Sequence, residues 1–141
     1  MKIPKGEKVS IRINGELIVL DIHKEFTVGD DVTPLAEHYA YLVSLKSRLY
    51  RLLKERELTK DKYYYVQFLI IKDDSTLDTP KSNEWVKAEI YEDEEYLNLL
   101  EQYNQTEVNY KTISDLVKTY DHKIGLARTL MANERKESYL S

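Results

Sequence analysis

The chain has 141 residues with a net charge of −4, the length of a single domain with one core. The acidic balance excludes a surface that binds nucleic acid throughout, and the absence of Cys excludes disulfides and thiolate metal sites. The first residues lack the apolar run of a signal peptide, and no window reaches the roughly 20 apolar residues that span a bilayer. We therefore expect a soluble, cytoplasmic protein.

Two β-type runs stand near the N-terminus. Lys8 to Ile13 alternates apolar and polar residues, and Glu16 to Ile22 has a strand composition. Asn14-Gly15 between them predicts a type I′ turn, because both residues tolerate positive φ. We predict a β-hairpin that lies on a helix or pairs with a neighbouring subunit, since two strands alone are marginal. The hairpin and its linker make up region 1–32.

A long amphipathic helix is predicted after the linker Val28 to Thr33, with Thr33-Pro34 as its cap and first helical position. Three-four spacing places one apolar stripe on this helix: Leu35, His38, Leu42, Leu45, Leu49 and Leu52. The helix is predicted to end near Ile71, although Tyr63 to Val66 has a composition that also suits a strand.

Turn formers dominate Lys72 to Asn83, which predicts a mobile connection. A short helix containing Trp85, Val86 and Ile90 should follow. Asp93 is the predicted N-cap of a last helix that runs to about Glu134.

The last helix carries a heptad ladder that predicts a coiled-coil seam. Its eleven positions are Tyr96, Leu99, Tyr103, Thr106, Tyr110, Ile113, Val117, Tyr120, Ile124, Ala127 and Met131. Such a seam must be covered by another helix of the chain, by other copies, or by both. Four Tyr and one Thr favour a wide groove or a bundle of more than two helices. Gly125 within this helix predicts a close approach by another helix.

These elements predict a mainly α fold, in which region 33–141 forms a long antiparallel helical hairpin or coiled-coil-like bundle. The N-terminal β-hairpin packs with it in one domain.

No catalytic, cofactor or metal signature is found. The four glycines are scattered and form no phosphate-binding loop. His23, His38 and His122 lack the spacing of a helical metal site, and the carboxylate clusters have no partner base. We expect neither enzyme activity nor a cofactor.

The charge is unevenly distributed along the chain. Between Lys46 and Lys62 seven basic residues stand against three acidic ones, whereas six acids and one Lys fill Glu84 to Glu95. Cations followed by tyrosines are the two components of single-strand binding, phosphate neutralisation and base stacking. The candidate nucleic-acid-binding residues are Lys46, Arg48, Arg51, Lys54, Arg56, Lys60, Lys62, Tyr63 and Tyr64. Alternatively, the lysines lie on a solvated helix flank and the tyrosines fill a core.

Four stretches within roughly residues 33 to 136 form a recognisable layout: a basic first helix with aromatics, a polar connection and a last helix with an acidic start. They are Tyr39-Ala40-Tyr41-Leu42, Lys60-Asp61-Lys62-Tyr63-Tyr64, Asp93-Glu94-Glu95-Tyr96-Leu97, and Tyr120-Asp121-His122-Lys123 with Ala127-Arg128. This layout resembles phage recombination mediators of the UvsY type.

The resemblance implies a homo-oligomeric ring that binds single-stranded DNA through the first helix, with Lys60 and Lys62 as the first candidates for DNA contact. It also implies two protein partners, a recombinase and a single-strand-binding protein. The expected function is to help load the recombinase onto coated single-stranded DNA in the host cytoplasm.

Two other functions fit the same pattern. A phage structural or assembly protein would use its helices only for protein contacts, and it would not bind nucleic acid. A small host-takeover or transcriptional adaptor would bind one host protein with little self-assembly.

Overall fold

The structure, a computed structural model, describes residues 8–13, 15–21, 33–74 and 81–140. The elements are β1 (Lys8–Ile13), β2 (Glu16–Asp21), α1 (Thr33–Lys72), α2 (Asn83–Tyr91) and α3 (Glu94–Leu140). The predicted fold class, mainly α with an N-terminal β-hairpin, is confirmed. The predicted linker from Val28, the residue His23 and the middle of the connection between α1 and α2 lie outside the described residues.

The hairpin has one buried face and one exposed face. β1 and β2 pair antiparallel with Ile11 opposite Ile18, and Gly15 in the turn has a φ of 82°, a conformation that glycine adopts without strain. Alternation along each strand buries four apolar side chains: Ile11, Ile13, Ile18 and Leu20. On the opposite face Leu17 and Val19 are about half exposed, which is the pattern of a two-layer packing.

A buried amide attaches the hairpin to α3. The side chain of Asn109, which is 6% exposed, donates through Nδ2 to the Arg12 carbonyl at 3.3 Å. The prediction that the hairpin lies on a helix is therefore confirmed.

The chain divides into two compact units. We call Met1–Leu49 with Asn109–Ser141 the hairpin unit and Tyr50–Val108 the α2 unit. In the hairpin unit, the core combines the inner face of the β-hairpin with apolar residues of α1 and α3. The largest fully buried helical side chains there are Leu42, Leu45, Leu49, Ile113 and Leu116.

The apolar stripe predicted on α1 faces the protein interior. Leu42, Leu45, Leu49 and Leu52 are buried, and the half-buried His38 ring lies 5.0 Å from the Tyr120 ring. The side chain of Leu35 lies outside the described set. α1 continues as a helix through the tyrosine tract to Lys72, one residue beyond the predicted end.

In the α2 unit, α1 and α3 run antiparallel, because their contacts pair residues in opposite order. These pairs are Arg56 with Thr106, Lys60 with Tyr103, and Tyr63 with Asp93. The core of this unit contains Val86, Ile90 and Tyr96, with Tyr63, Tyr64, Phe68, Ile71 and Leu100 packed against it.

The starts of α2 and α3 are capped by the side chains of Ser82 and Asp93. Ser82 Oγ accepts a hydrogen bond from the Trp85 amide at 3.2 Å and so caps α2, the predicted short helix. Asp93 Oδ1 accepts from the amide of Glu95 at 2.9 Å, which confirms the predicted N-cap of α3. α3 ends at Leu140 and thus extends beyond the predicted Glu134.

The prediction of a close helix approach at Gly125 is wrong. Gly125 is exposed, and a Cβ placed there would meet no atom of the described residues within 4 Å. Among the described residues, nothing packs closely enough at position 125 to require glycine.

None of the described helices has an apolar stretch long enough to cross a membrane.

Candidate nucleic-acid interface

All candidate nucleic-acid-binding residues lie on α1, and the helix directs them to different sides because successive residues are rotated by about 100°. Two of them belong to the hairpin unit, where Lys46 is half-buried and Arg48 is exposed. The others belong to the α2 unit and separate into a set that contacts other side chains of the unit and a set that faces solvent.

Arg56 is directed toward α3. Its Nη1 donates to the Thr106 hydroxyl and to the Gln102 carbonyl, the latter at 3.3 Å. Thr106 is 1% exposed, and its own hydroxyl donates to the Gln102 carbonyl at 2.8 Å. The polar residue Thr106 at this buried seam position therefore has a structural explanation. Its hydroxyl accepts a hydrogen bond from the guanidinium of Arg56 on α1.

Lys60 is also directed toward α3, with a side chain only 16% exposed. Its Nζ lies 2.8 Å from Asp61 Oδ1 and 5.0 Å from the centre of the Tyr103 ring. Burial alone would lower the pKa of the ammonium, but the hydrogen bond to Asp61 and nearby negative charge raise it above its ordinary value. Lys60 therefore stays charged and is held by groups of its own unit.

Tyr63 connects α1 to the start of α3. Its hydroxyl donates to Asp93 Oδ2 at 2.7 Å, while the other carboxylate oxygen caps α3. The hydrogen bond to Asp93 is the main cause that raises the pKa of Tyr63 to about 12, and the same bond lowers the pKa of Asp93. Tyr63 thus fixes the carboxylate that caps α3.

Tyr64 lies in an aromatic cluster of the protein itself. Its ring centre is 5.8 Å from that of Tyr96, 6.3 Å from that of Phe68 and 6.4 Å from that of Tyr91. These separations are typical of favourable aromatic pairs. Burial also raises the pKa of the Tyr64 hydroxyl. The face of this ring is therefore occupied by protein contacts.

Three candidate cations of the α2 unit face solvent: Arg51, Lys54 and Lys62. Lys54 makes an exposed ion pair with Glu57 at 3.4 Å, and this hydrogen bond is the main cause that raises the pKa of Lys54. Exposed ion pairs of this kind contribute little to stability and rearrange readily, so Lys54 can still contact a ligand.

Tyr50 is a ring that was not among the sequence candidates. It is 50% exposed, and Lys54 Nζ lies 5.5 Å from its ring centre. The two residues are four positions apart, a spacing that places side chains side by side on a helix. This spacing was visible in the sequence. Tyr50, Arg51 and Lys54 form what we call the Tyr50 patch, an exposed ring beside two exposed cations.

The seam residues of α3 lie against the interior of their own chain. Six of the eleven are buried: Tyr96, Thr106, Ile113, Tyr120, Ile124 and Ala127. The other five are half-buried: Leu99, Tyr103, Tyr110, Val117 and Met131. Two further buried residues of α3, Asn109 and Leu116, lie outside the ladder. The chain itself therefore covers much of this seam.

Within the described residues, no group of three His, Asp or Glu side chains is arranged to hold a metal ion. No family model matches the chain, and neither a curated protein nor a solved structure matches it.

Proposed function

We propose that this protein is a non-catalytic, single-stranded DNA-binding recombination mediator. In this role it helps to load a recombinase onto DNA coated with single-strand-binding protein, in the cytoplasm of a phage-infected host. We further propose that the active form is a homo-oligomer and that the recombinase and the single-strand-binding protein are its protein partners.

The Tyr50 patch is the observation that carries the proposal. Single-strand binding combines cations for phosphates with an aromatic ring for a base, and the patch places the half-exposed Tyr50 ring beside two exposed cations within two turns of one helix. The overall charge of −4 opposes DNA elsewhere, so contact is confined to local basic surfaces such as this one.

One patch alone supports only weak binding, because two cations neutralise few phosphates. Several patches in one oligomer engage the same strand at a high effective concentration, and avidity can then raise affinity by about 10² or more. Self-assembly is therefore an integral part of the proposal.

The test is fluorescence anisotropy of a labelled oligo-dT strand with Arg51→Ala/Lys54→Ala and, separately, Tyr50→Ala. The double variant should bind more weakly, and its log–log salt slope should fall by about 0.7 for each phosphate that the protein no longer neutralises. Tyr50→Ala should weaken binding without changing the slope, since stacking involves no counterion release.

The matched control is Lys87→Ala/Lys118→Ala, which removes two exposed cations from α2 and α3. If this control weakens binding as much as Arg51→Ala/Lys54→Ala, the effect is one of net charge and the Tyr50 patch is not the site.

A structural or assembly protein is the second candidate. The observation in its favour is a set of strongly exposed apolar side chains on α1, with Leu58 69%, Leu69 61% and Ile70 58% exposed. Surfaces of this kind typically contact protein. This candidate predicts assembly without any binding of oligo-dT at low salt.

A further inference from the structure

The part of α1 beyond the Tyr50 patch has an outward face with heptad spacing. Leu58, Lys62, Tyr65 and Leu69 follow one another at intervals of four, three and four residues. All four are exposed, with Leu58, Tyr65 and Leu69 at 69%, 67% and 61%. Helices with such a stripe typically pack against another helix, so we expect a partner helix to cover this face.

The first part of α3 has an outward face with the same spacing. Leu97, Glu101, Asn104 and Val108 also follow at intervals of four, three and four residues. All four are exposed, Leu97 at 46% and Val108 at 57%. An open groove of about 280 Å³ is lined by Leu97, Leu100, Glu101, Asn104, Gln105 and Val108.

The two faces carry opposite charge. The α1 stripe contains one charged residue, the exposed Lys62, and the α3 stripe contains one, the exposed Glu101. Residues 94–108 of α3 contain four Glu and neither Lys nor Arg. Because both faces are exposed on the same chain, the surface that complements each one is present on a second copy.

Parallel pairing of like faces is disfavoured. In that arrangement two α3 faces would place Glu101 against Glu101, and two α1 faces would place Lys62 against Lys62. Like charges at close range in a contact cost several kcal/mol. A parallel contact therefore favours unlike faces, which bring Lys62 and Glu101 together.

We propose that the α1 face of one copy docks in parallel on the α3 face of the next copy. The identical spacing then sets the register, with Leu58 against Leu97 and Lys62 beside Glu101. The other two pairs of the stripe come into register in the same alignment.

In this register Tyr65 meets Asn104 and Leu69 meets Val108. The contact thus has apolar pairs at both ends and an ion pair between them, and it is about 16 Å long, because eleven helical rises separate the first and last of its twelve residues. Because the faces differ, each copy binds two neighbours, and repetition gives a ring or an open filament.

This inference rests on the self-assembly in the proposed function and identifies its contact surfaces. The Tyr50 patch precedes Leu58 on α1 and stays outside the contact, so each added copy adds one patch for DNA. The seam of α3, which the chain itself covers, is not needed for this contact.

The test is sedimentation velocity over a concentration series for the wild type, Lys62→Glu, Glu101→Lys and the double reversal. Each single reversal should raise the dissociation constant of assembly about tenfold or more, because it places like charges in the contact. The double reversal should restore assembly, because the ion pair reforms with its charges exchanged. Both changed positions are exposed, and circular dichroism checks that the helices are retained in all three variants.

Lys87→Glu, an equal charge change at an exposed site of α2, is the control and should assemble like the wild type. Single reversals that leave assembly unchanged, or a double reversal as weak as the single ones, would overturn this interface alone. A wild type that is monomeric at every concentration would overturn self-assembly, and with it that part of the proposed function. DNA binding is measured separately by oligo-dT anisotropy.

Discussion

Thr106 tests whether Arg56 is a structural residue of the α1–α3 contact. The Thr106→Val substitution keeps the shape of this side chain, which is 1% exposed, but removes its hydroxyl. Two hydrogen bonds disappear with it, one from Arg56 and one to the Gln102 carbonyl at 2.8 Å. Arg56 keeps its bond to that carbonyl at 3.3 Å, so the cation is left only partly paired.

A hydrogen bond to a charged group, such as the one from Arg56, contributes about 1.5 to 3 kcal/mol to the free energy of unfolding. The bond between Thr106 and the Gln102 carbonyl of the same helix contributes less. We therefore expect Thr106→Val to lower the free energy of unfolding by about 1 to 3 kcal/mol. The melting temperature should fall by about 3 °C for each kcal/mol in a chain of this length. Thr106→Ser keeps the hydroxyl and removes one methyl, which should cost only about 1 kcal/mol.

The assay is thermal and urea unfolding followed by circular dichroism. Thr119→Val is a matched control, since exposed Thr119 makes the same local bond to the Asp115 carbonyl at 3.0 Å. A Thr106→Val protein that is no less stable than Thr119→Val would refute the reasoning. Arg56 would then return to the set of cations available to DNA.

Three further predictions concern stability. Gly125→Ala should raise the free energy of unfolding by about 0.5 to 1 kcal/mol, because the site is helical and open; a decrease in urea unfolding would indicate a close neighbour after all. Ile113→Ala should cost about 2 to 4 kcal/mol, because Ile113 is 0% exposed; a cost below 1 kcal/mol would contradict that burial. Tyr63→Phe should be less stable than the wild type above about pH 4, and the difference in melting temperature should shrink as acid protonates Asp93, whose pKa the Tyr63 hydroxyl lowers. It should also shrink from about pH 10 towards 12, as the Tyr63 hydroxyl of the wild type ionises; a difference that grows on acidification would contradict the bond.

The sequence was sufficient for the order and type of the elements, for the hairpin turn and for the cap of α3. Asn-Gly located the hairpin turn, and Asp93 located the start of α3, because these residues act through local backbone chemistry. The heptad ladder likewise selected buried and half-buried positions of α3, since spacing alone determines which side of a helix they share.

The orientation of α1 beyond Leu52 was not predictable in the same way. Its leucine stripe gives way to tyrosines and lysines on several sides of the helix, and both residue types suit either a core edge or solvent. Only the contacts with α3 show that Lys60 and Tyr63 are directed to the protein while Lys62 is exposed.

Gly125 shows a second limit of the sequence. A glycine within a helix is compatible with a close approach by another helix and equally with open surface, and its neighbours in the chain do not distinguish the two. The structure has open space there among its described residues.

Binding of the wild-type protein to a labelled oligo-dT strand across a salt series, beside a duplex of equal length, tests the central claim most directly. The account predicts binding that favours the single strand and weakens steeply with salt, because phosphates and bases are contacted together. No binding at low salt, or equal binding to the duplex, would contradict a single-strand mediator.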